Sequence, residues 1–139
     1  MALGDNTLQA ARGSAGNPGR KPYMVQTTLN LATALSDNGS SLAAADIIPV
    51  IAVEKGTMIL NAGIEVDTAS DGSTLTVDLG TGADVDVFVD GFDGTSAAGV
   101  VAQNAAAFQP VMAVANDNID VTIATLSGGA VAAGKWRVW

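Results

Sequence analysis

The sequence predicts an all-β protein, an antiparallel sandwich of about seven or eight short strands. Apolar and polar residues alternate with period two in several segments, as they do in strands with one buried face. Turn-forming residues interrupt the chain about every ten residues, and no segment has a convincing helical period. We favour a jelly-roll-like sandwich, because the irregular segment 91–110 is long enough to cross between two sheets.

Residues 1–22 differ from the rest, and we expect an extended N-terminal arm there, ahead of a sandwich body over residues 23–139. The arm is rich in Gly and Pro and has few large apolar side chains, so it cannot offset the cost of its own ordering. It contains three basic residues, Arg12, Arg20 and Lys21. We predict that these three bind an acidic neighbouring subunit, with a floppy terminus as the alternative.

The body opens with a strand. Residues 23–33 alternate and are rich in β-branched side chains, which favours a strand, with a helix over residues 29–35 as the alternative. Residues 37–41 predict a turn, and residues 42–45 one short helical turn.

Residues 47–66 are the predicted centre of the fold, a β-hairpin. The first run, residues 47–53, is apolar on both faces, and Lys55-Gly56 supplies a tight connection. The second run alternates, so we expect Leu60→Asp to prevent folding and Asn61→Asp to be tolerated. The residues predicted to face the core are Met58, Leu60, Ala62, Ile64 and Val66.

Five further strands are expected, over residues 74–79, 84–90, 111–114, 119–124 and 130–139. In the second of these, Phe88 shares one face with a row of aspartates, so we expect that face to be solvated. In the last, Trp136 and Trp139 point to opposite faces, which predicts one core tryptophan and one exposed tryptophan.

Charge and composition exclude several classes of protein. The net charge is −8, and between Gly56 and Gly134 there is no Lys or Arg, which argues against nucleic-acid binding. The chain has no histidine and no cysteine, so the commonest general base and thiolate chemistry are absent; we expect no enzyme. No apolar run approaches the roughly 20 residues that span a bilayer, and no secretory signal is visible, so we expect a soluble protein without membrane contact.

The aspartates raise the question of calcium, which oxygen ligands bind well. The run from Gly80 to Val87 has the composition of a calcium β-roll, but it occurs once, and such sites need stacked copies. We therefore expect no metal and no cofactor, with calcium on the acidic loops as the alternative to a solvated face. The residues concerned are Asp67, Asp71, Asp84, Asp86, Asp90 and Asp93.

Several segments carry a resemblance to a known group of proteins. They are residues 23–35, Asp46–Ile51 with Lys55-Gly56-Thr57, Asp84–Gly91, and the closing pair Asp117–Ile123 and Gly134–Trp139. In these segments the chain resembles the small all-β head proteins of tailed bacteriophages, the decoration or cement proteins on the capsid shell. The resemblance covers about residues 23–139 and excludes the arm.

The resemblance implies a structural virion protein on the capsid surface, which binds the outside of a phage head and bridges and stabilises capsid subunits. It implies the major capsid protein as partner, a homo-oligomer (dimer or trimer), and no catalytic residues. The alternative function is a carbohydrate-binding or adhesion module on a virion or cell surface, using an exposed Trp139 or Phe88.

Overall fold

The computed structural model describes residues 22–39, 41–104, 109–128 and 131–139. These residues form ten strands and one helix, α1 (Leu31–Asn38). The strands are β1 (Thr27–Asn30), β2 (Ile47–Val53), β3 (Met58–Ile59), β4 (Gly63–Thr68), β5 (Thr74–Thr81), β6 (Val89–Asp93), β7 (Val101–Gln103), β8 (Val111–Met112), β9 (Asp117–Ser127) and β10 (Lys135–Val138). The predicted arm contacts, Arg12, Arg20 and Lys21, lie outside the described residues and stay predictions.

The strands form two four-stranded sheets and a small ribbon. The first sheet has the order β1-β10-β4-β7, the second β2-β9-β5-β6, and β3 pairs with β8. Every pairing is antiparallel, which confirms the predicted all-β sandwich. The structure has more strands than predicted because the predicted strand over residues 58–66 divides into β3 and β4, and because the three-residue strand β7 lies in the segment expected to be irregular.

The pairings are nested along the chain. β5 pairs with β6, β4 with β7, β3 with β8, β2 with β9 and β1 with β10. The body is therefore one long antiparallel ribbon that doubles back between β5 and β6, and two lateral pairings, β10 with β4 and β9 with β5, roll it into a sandwich. The segment predicted to cross between sheets does so, since β6 lies in the second sheet and β7 in the first.

One continuous apolar core lies between the two large sheets. Trp136 and Val138 are completely buried in it, as the alternation of the last strand predicts. The indole Nε1–H of Trp136 donates a hydrogen bond to the Gly94 carbonyl at 3.3 Å. A Cβ at Gly94 would overlap the indole ring, so the absence of a side chain there makes room for the largest core residue.

The segment predicted as a single strand over residues 23–33 divides into β1 and α1. The Asn30 side chain accepts a hydrogen bond from the Ala32 N–H and caps the helix, and Gly39 ends it in the left-handed conformation (φ 68°). Leu31 is completely buried and attaches the helix to the core. Among the described residues no helix is long and apolar enough to cross a membrane.

The predicted central hairpin is wrong. The tight turn is present, because the Thr57 N–H donates to the Glu54 carbonyl at 3.1 Å, but β2 pairs with β9 and the chain after the turn pairs with β8. The predicted second strand is also broken. The Ala62 N–H donates to the Asn104 side chain, and residues 60–62 leave one sheet before β4 enters another.

The predicted strand over residues 84–90 is wrong except at its end, because β6 begins only at Val89. Thr81 and Asp84 exchange backbone hydrogen bonds of 2.8 and 3.2 Å, and the chain then bulges until the Phe88 N–H bonds the Leu79 carbonyl at 3.0 Å. The bulge lies against Gly80, where a Cβ would overlap the backbone of Asp84 and Val85. Phe88 is completely buried, whereas the alternation places it on a solvated face.

Candidate functional site

The candidate site is an apolar surface on the β3–β8 ribbon. On the outer face of this ribbon the exposed fractions are 52% for Met58, 50% for Leu60, 52% for Met112 and 83% for Val114. Pro110, also exposed, lies opposite Leu60 when the strand register is extended by one residue. We call these five residues the ribbon face. Adjoining apolar side chains at this exposure are typical of a surface that another molecule covers.

Local hydrogen bonds hold the ribbon in this orientation. Met58 lies opposite Met112 and Ile59 opposite Val111, so the alternation of each strand sends Ile59 inward and both methionines outward. Ile59 is only 8% exposed. Two further hydrogen bonds extend the pairing. The Gly56 N–H donates to the Ala113 carbonyl at 2.7 Å, and the Ala113 N–H donates to the Thr57 carbonyl at 2.9 Å. The ribbon face is therefore a built surface attached to the core, and its two methionines are adaptable apolar side chains.

The ribbon face carries no charge on a strongly acidic chain. No charged residue occurs from Gly94 to Asn116 or from Gly56 to Ile64. The described residues also include three exposed apolar side chains near β7 and the start of β1, namely Val101 (51%), Tyr23 (44%) and Met24 (70%). A partner can approach the ribbon face without desolvating a charged group, which is the costly step in burying a polar surface.

Many of the carboxylates have local structural roles. Asp71 accepts hydrogen bonds from the backbone N–H groups of Ala133 and Ala132, which lower its pKa. The hydroxyl and the N–H of Thr95 lower the pKa of Asp93 in the same way. Asp78 accepts the Gly91 N–H at 2.8 Å. These aspartates fix turns and loops, which explains much of the acidic composition without a ligand.

The first sheet carries an ion-pair network on its outer face. The Arg137 guanidinium lies 2.9 Å from a carboxylate oxygen of Glu65 and 3.5 Å from one of Asp67. The three side chains are between 26% and 43% exposed, so solvent weakens the network. Arg137 thereby neutralises one of the positions proposed for calcium.

The carboxylates named for the calcium alternative do not gather into a metal site. Asp84 shares a hydrogen bond with Asp86 and raises its pKa, and burial and the charges of Asp84 and Asp90 act in the same direction. Asp71 and Asp93 instead bind backbone groups of their own loops. In the ranges that the structure describes, no three acidic side chains are placed to hold a metal ion.

One carboxylate is buried without a clear partner. Asp120 on β9 is 8% exposed, and its Oδ1 has no hydrogen-bond partner. Burial raises the pKa of Asp120, and the charge of Asp117 raises it further. Its neighbours across the sheet are Pro49, which has no N–H, and Gly80, which has no side chain. The structure thus places a costly polar group in the second sheet, outside the ribbon face.

The aromatic residues proposed for carbohydrate binding are poorly placed for it. Phe88 is completely buried, so that part of the alternative is wrong. Trp139 is half-buried, and its ring occupies the space where a Cβ of Gly63 would lie. A cleft of about 520 Å³ lies between α1 and residues 131–132, and it has no titratable side chain in its lining. Neither feature supplies the exposed aromatic platform and polar groups of a sugar site.

Comparison with known proteins gives matches of structure and none of sequence. No protein-family model and no curated protein matches the chain. The chain is similar to one in the capsid asymmetric unit of cyanophage Pam1, with a TM-score of 0.59, 14% identity, and coverage of 90% of this chain and 91% of that one. It is also similar to a chain in the acidic stable capsid structure of Helicobacter pylori bacteriophage KHP30, with a TM-score of 0.50, 14% identity, and coverage of 84% and 87%.

The shared architecture is thus that of chains found in phage capsids. At this level of identity the likeness is one of fold, and the predicted resemblance to phage head proteins is confirmed at that level. It extends over nearly the whole chain.

Alternation along the sequence misplaces the ribbon face. It places five residues on one core-facing side, namely Met58, Leu60, Ala62, Ile64 and Val66. Only Ala62, Ile64 and Val66 are buried. A signal was present in Asn61 and Gly63, since both residue types interrupt strands. At that interruption the chain changes sheets, and the inward-facing positions change with it.

Proposed function

We propose that the protein is a structural component of a phage virion, located on the capsid. The observation that carries this proposal is the likeness in fold to chains of two phage capsids, which covers 90% and 84% of this chain. The absence of histidine and cysteine from the sequence supports a non-catalytic role.

The connectivity of the sandwich supports the same conclusion. Its antiparallel ribbon doubles back once and rolls into two four-stranded sheets. This connectivity supports a jelly roll, an architecture common in viral capsid domains. We propose that this sandwich is a jelly roll. The β3–β8 pair is then the part of the ribbon that stands apart from both sheets.

Within the capsid, we propose that the chain acts as a decoration or cement protein that binds the outer surface of the shell. The ribbon face supplies the contact with the major capsid protein, because it is apolar, uncharged and exposed. Its five side chains are few beside the roughly 20–30 residues per side of a standard interface. Binding is therefore distributed over several contacts, as suits a protein that bridges neighbouring capsid subunits.

The N-terminal arm supplies a second contact in this proposal. Arg12, Arg20 and Lys21 bind an acidic neighbour, because thirteen of the fourteen Asp and Glu residues lie beyond residue 21. Charge-assisted contacts of this kind complement the apolar ribbon face and weaken as salt increases.

The experiment measures co-sedimentation of the purified protein with assembled capsid shells that lack it. Met112→Lys places a charge in the ribbon face, and Val85→Lys places the same charge on an exposed apolar residue elsewhere. We expect the native chain and the Val85→Lys variant to bind, and Met112→Lys to bind at least about tenfold more weakly, a loss of roughly 1.4 kcal/mol. Equal binding by both variants would remove the ribbon face from the proposal.

Failure of the native protein to bind any shell contradicts the proposed function itself. In that case the same sample is applied to a glycan array. Glycan binding there would favour the adhesion alternative, with Trp139 as the remaining aromatic candidate.

A further inference from the structure

The two edge strands of the first sheet are short, but they carry none of the charges, prolines or bulges that protect the edges of the second sheet. In the second sheet, edge strand β2 contains Pro49 and a register shift, and edge strand β6 contains Asp90, Gly91 and Asp93. Charges, proline and bulges of this kind prevent association of exposed edges. β1 and β7, the edges of the first sheet, contain no charged residue, proline or glycine.

The free backbone groups on these edges can be assigned from the hydrogen bonds on their inner sides. On β1, the Leu31 N–H bonds the Gly134 carbonyl, so the alternation of an antiparallel ladder turns the N–H and C=O of Thr28 outward. On the inner side of β7, the Asn104 N–H donates to the Ala62 carbonyl. Because hydrogen-bonded positions alternate along an antiparallel ladder, the N–H and C=O of Val101 and Gln103 turn outward. Each edge therefore presents donors and acceptors that no described residue pairs.

The strand directions make the two edges complementary. The four strands alternate in direction, so β7 runs antiparallel to β1. The β1 edge of an identically oriented second copy therefore meets β7 antiparallel and continues the sheet. One row of side chains crosses the outer face of the sheet and contains Thr28, Arg137, Glu65 and Val101. Pairing Thr28 with Val101 or Gln103 of another copy therefore keeps outward-facing side chains on the same face of the continued sheet.

Charge and exposure favour the same contact. Two acidic bodies repel each other, so copies associate most readily where charge is absent, as it is from Gly94 to Asn116. In the antiparallel arrangement, residues preceding β1 of the second copy pass beyond the Gln103 end of β7. Tyr23 and Met24, which precede β1, are 44% and 70% exposed.

We propose that β1 of one copy pairs with β7 of the next, so that the first sheet continues from subunit to subunit. This contact goes beyond the proposed function, because copies of the chain would form it with each other in the absence of a capsid. The contact is heterologous, because it joins two different edges of the sheet. If the rotation between neighbouring copies closes, the result is a ring of three or more subunits. Of the two oligomers implied by the resemblance, the trimer is compatible with this contact and the dimer is not.

The test is disulfide cross-linking of the full chain, which has no native cysteine. Thr28→Cys is combined with Val101→Cys in one variant and with Gln103→Cys in another, one variant for each register. We expect one double variant to give trimers or a longer ladder on mild oxidation, because paired strands bring Cβ atoms within disulfide reach, while every single variant stays monomeric. Monomers from both double variants, or dimers from Val101→Cys alone, would overturn the proposal.

Sedimentation of reduced proteins gives an independent measurement. Val101→Lys should weaken self-association at least about tenfold, because a charge on an edge strand opposes pairing. Val114→Lys, on the ribbon face, is the matched control and should self-associate like the native chain. The opposite result would place the subunit contact on the ribbon face and overturn the proposal. Shell binding is measured separately, so failure of the subunit contact is distinct from failure of the proposed function.

Discussion

Asp120 shows how the sandwich tolerates a polar group at a cost in free energy. The carboxylate is buried beside Pro49 and Gly80. Neither residue has a side-chain hydrogen-bond donor, and proline has no backbone N–H either. Burial therefore disfavours the charged form and raises the pKa. Because the pKa of Asp120 is higher in the folded chain than in the unfolded chain, its effect on stability depends on pH.

Asp120→Asn tests this account. The native carboxyl contributes its full stability below the unfolded pKa of about 3.9, and that contribution is lost as pH rises through the folded pKa. The variant should therefore melt at a higher temperature than the native chain at pH 7, with the difference decreasing as pH falls towards about 4. Melting curves across this range measure it. A variant that is less stable than the native chain at pH 7 would show that Asp120 has a stabilising partner.

Gly80→Ala tests the close contact beneath the β5–β6 bulge. The added Cβ would overlap the backbone of Asp84 and Val85, which cannot move as a flexible side chain would. We expect a loss of about 1–3 kcal/mol in the free energy of unfolding, seen as a fall of several degrees in melting temperature. Gly82→Ala is the control, since its nearest contact is the Asp117 carboxylate at 3.1 Å, which can rotate. Equal melting temperatures would mean that the bulge does not pack on Gly80.

Single residues were predictable from the sequence where the strand phase was unbroken. Trp136 and Val138 are buried, as the alternation of the last strand predicts. Alternation also makes Asp120 face away from the core, and it does; its burial depends on what covers the outer surface of the sheet. That information is tertiary, so no local pattern contains it.

At the scale of elements, the strand β2 was predictable and its partner was not. An apolar run over residues 47–53 predicts a strand covered on both faces. That part of the prediction is wrong, since β2 is an edge strand with Ile47 56% exposed, and the run contains no signal for its partner. Here the partner is β9. Both strands of the β3–β8 ribbon lie in segments predicted as strands, but their pairing with each other was not predictable, because two residues per strand contain no signal for a partner.

Leu60→Asp and Ile64→Asp separate the ribbon face from the core. Uninterrupted alternation places both side chains in the core, but Leu60 is 50% exposed and Ile64 is completely buried. We expect Leu60→Asp to fold and Ile64→Asp to fail, because an unpaired buried carboxylate costs several kcal/mol out of about 5–15 for the whole domain. Soluble expression and melting temperature measure the difference. Loss of folding in Leu60→Asp would support the original strand phase.

Deletion of residues 1–21 tests the role of the arm. Residues 1–21 contain few large apolar side chains and therefore add little to the core, so we expect the deletion to leave the melting transition nearly unchanged. Shell binding or self-association should weaken, and binding by the intact chain should fall with salt, since the Debye length shortens from about 10 Å at 0.1 M to about 3 Å at 1 M. Loss of folding would make the arm part of the sandwich, and unchanged binding would make it a floppy terminus.

At the scale of the whole molecule, the nested pairing explains why fold class was predictable and topology only in outline. Alternation reports which face of a strand is buried, and it recurs often enough to define a sandwich. The pairing of β1 with β10 joins residues near opposite ends of the body, so it is decided by the packing of all the sheets together. The long crossing segment was the one sequence feature that indicated exchange between sheets.

We propose that the chain is a capsid protein that binds through its ribbon face. The most direct test is a cryo-EM reconstruction of phage heads prepared with and without the protein. We expect symmetric additional density outside the shell that fits the sandwich, with Met58 and Met112 facing the major capsid protein. Heads that contain no such density, or density that fits only with the ribbon face turned to solvent, would contradict the account.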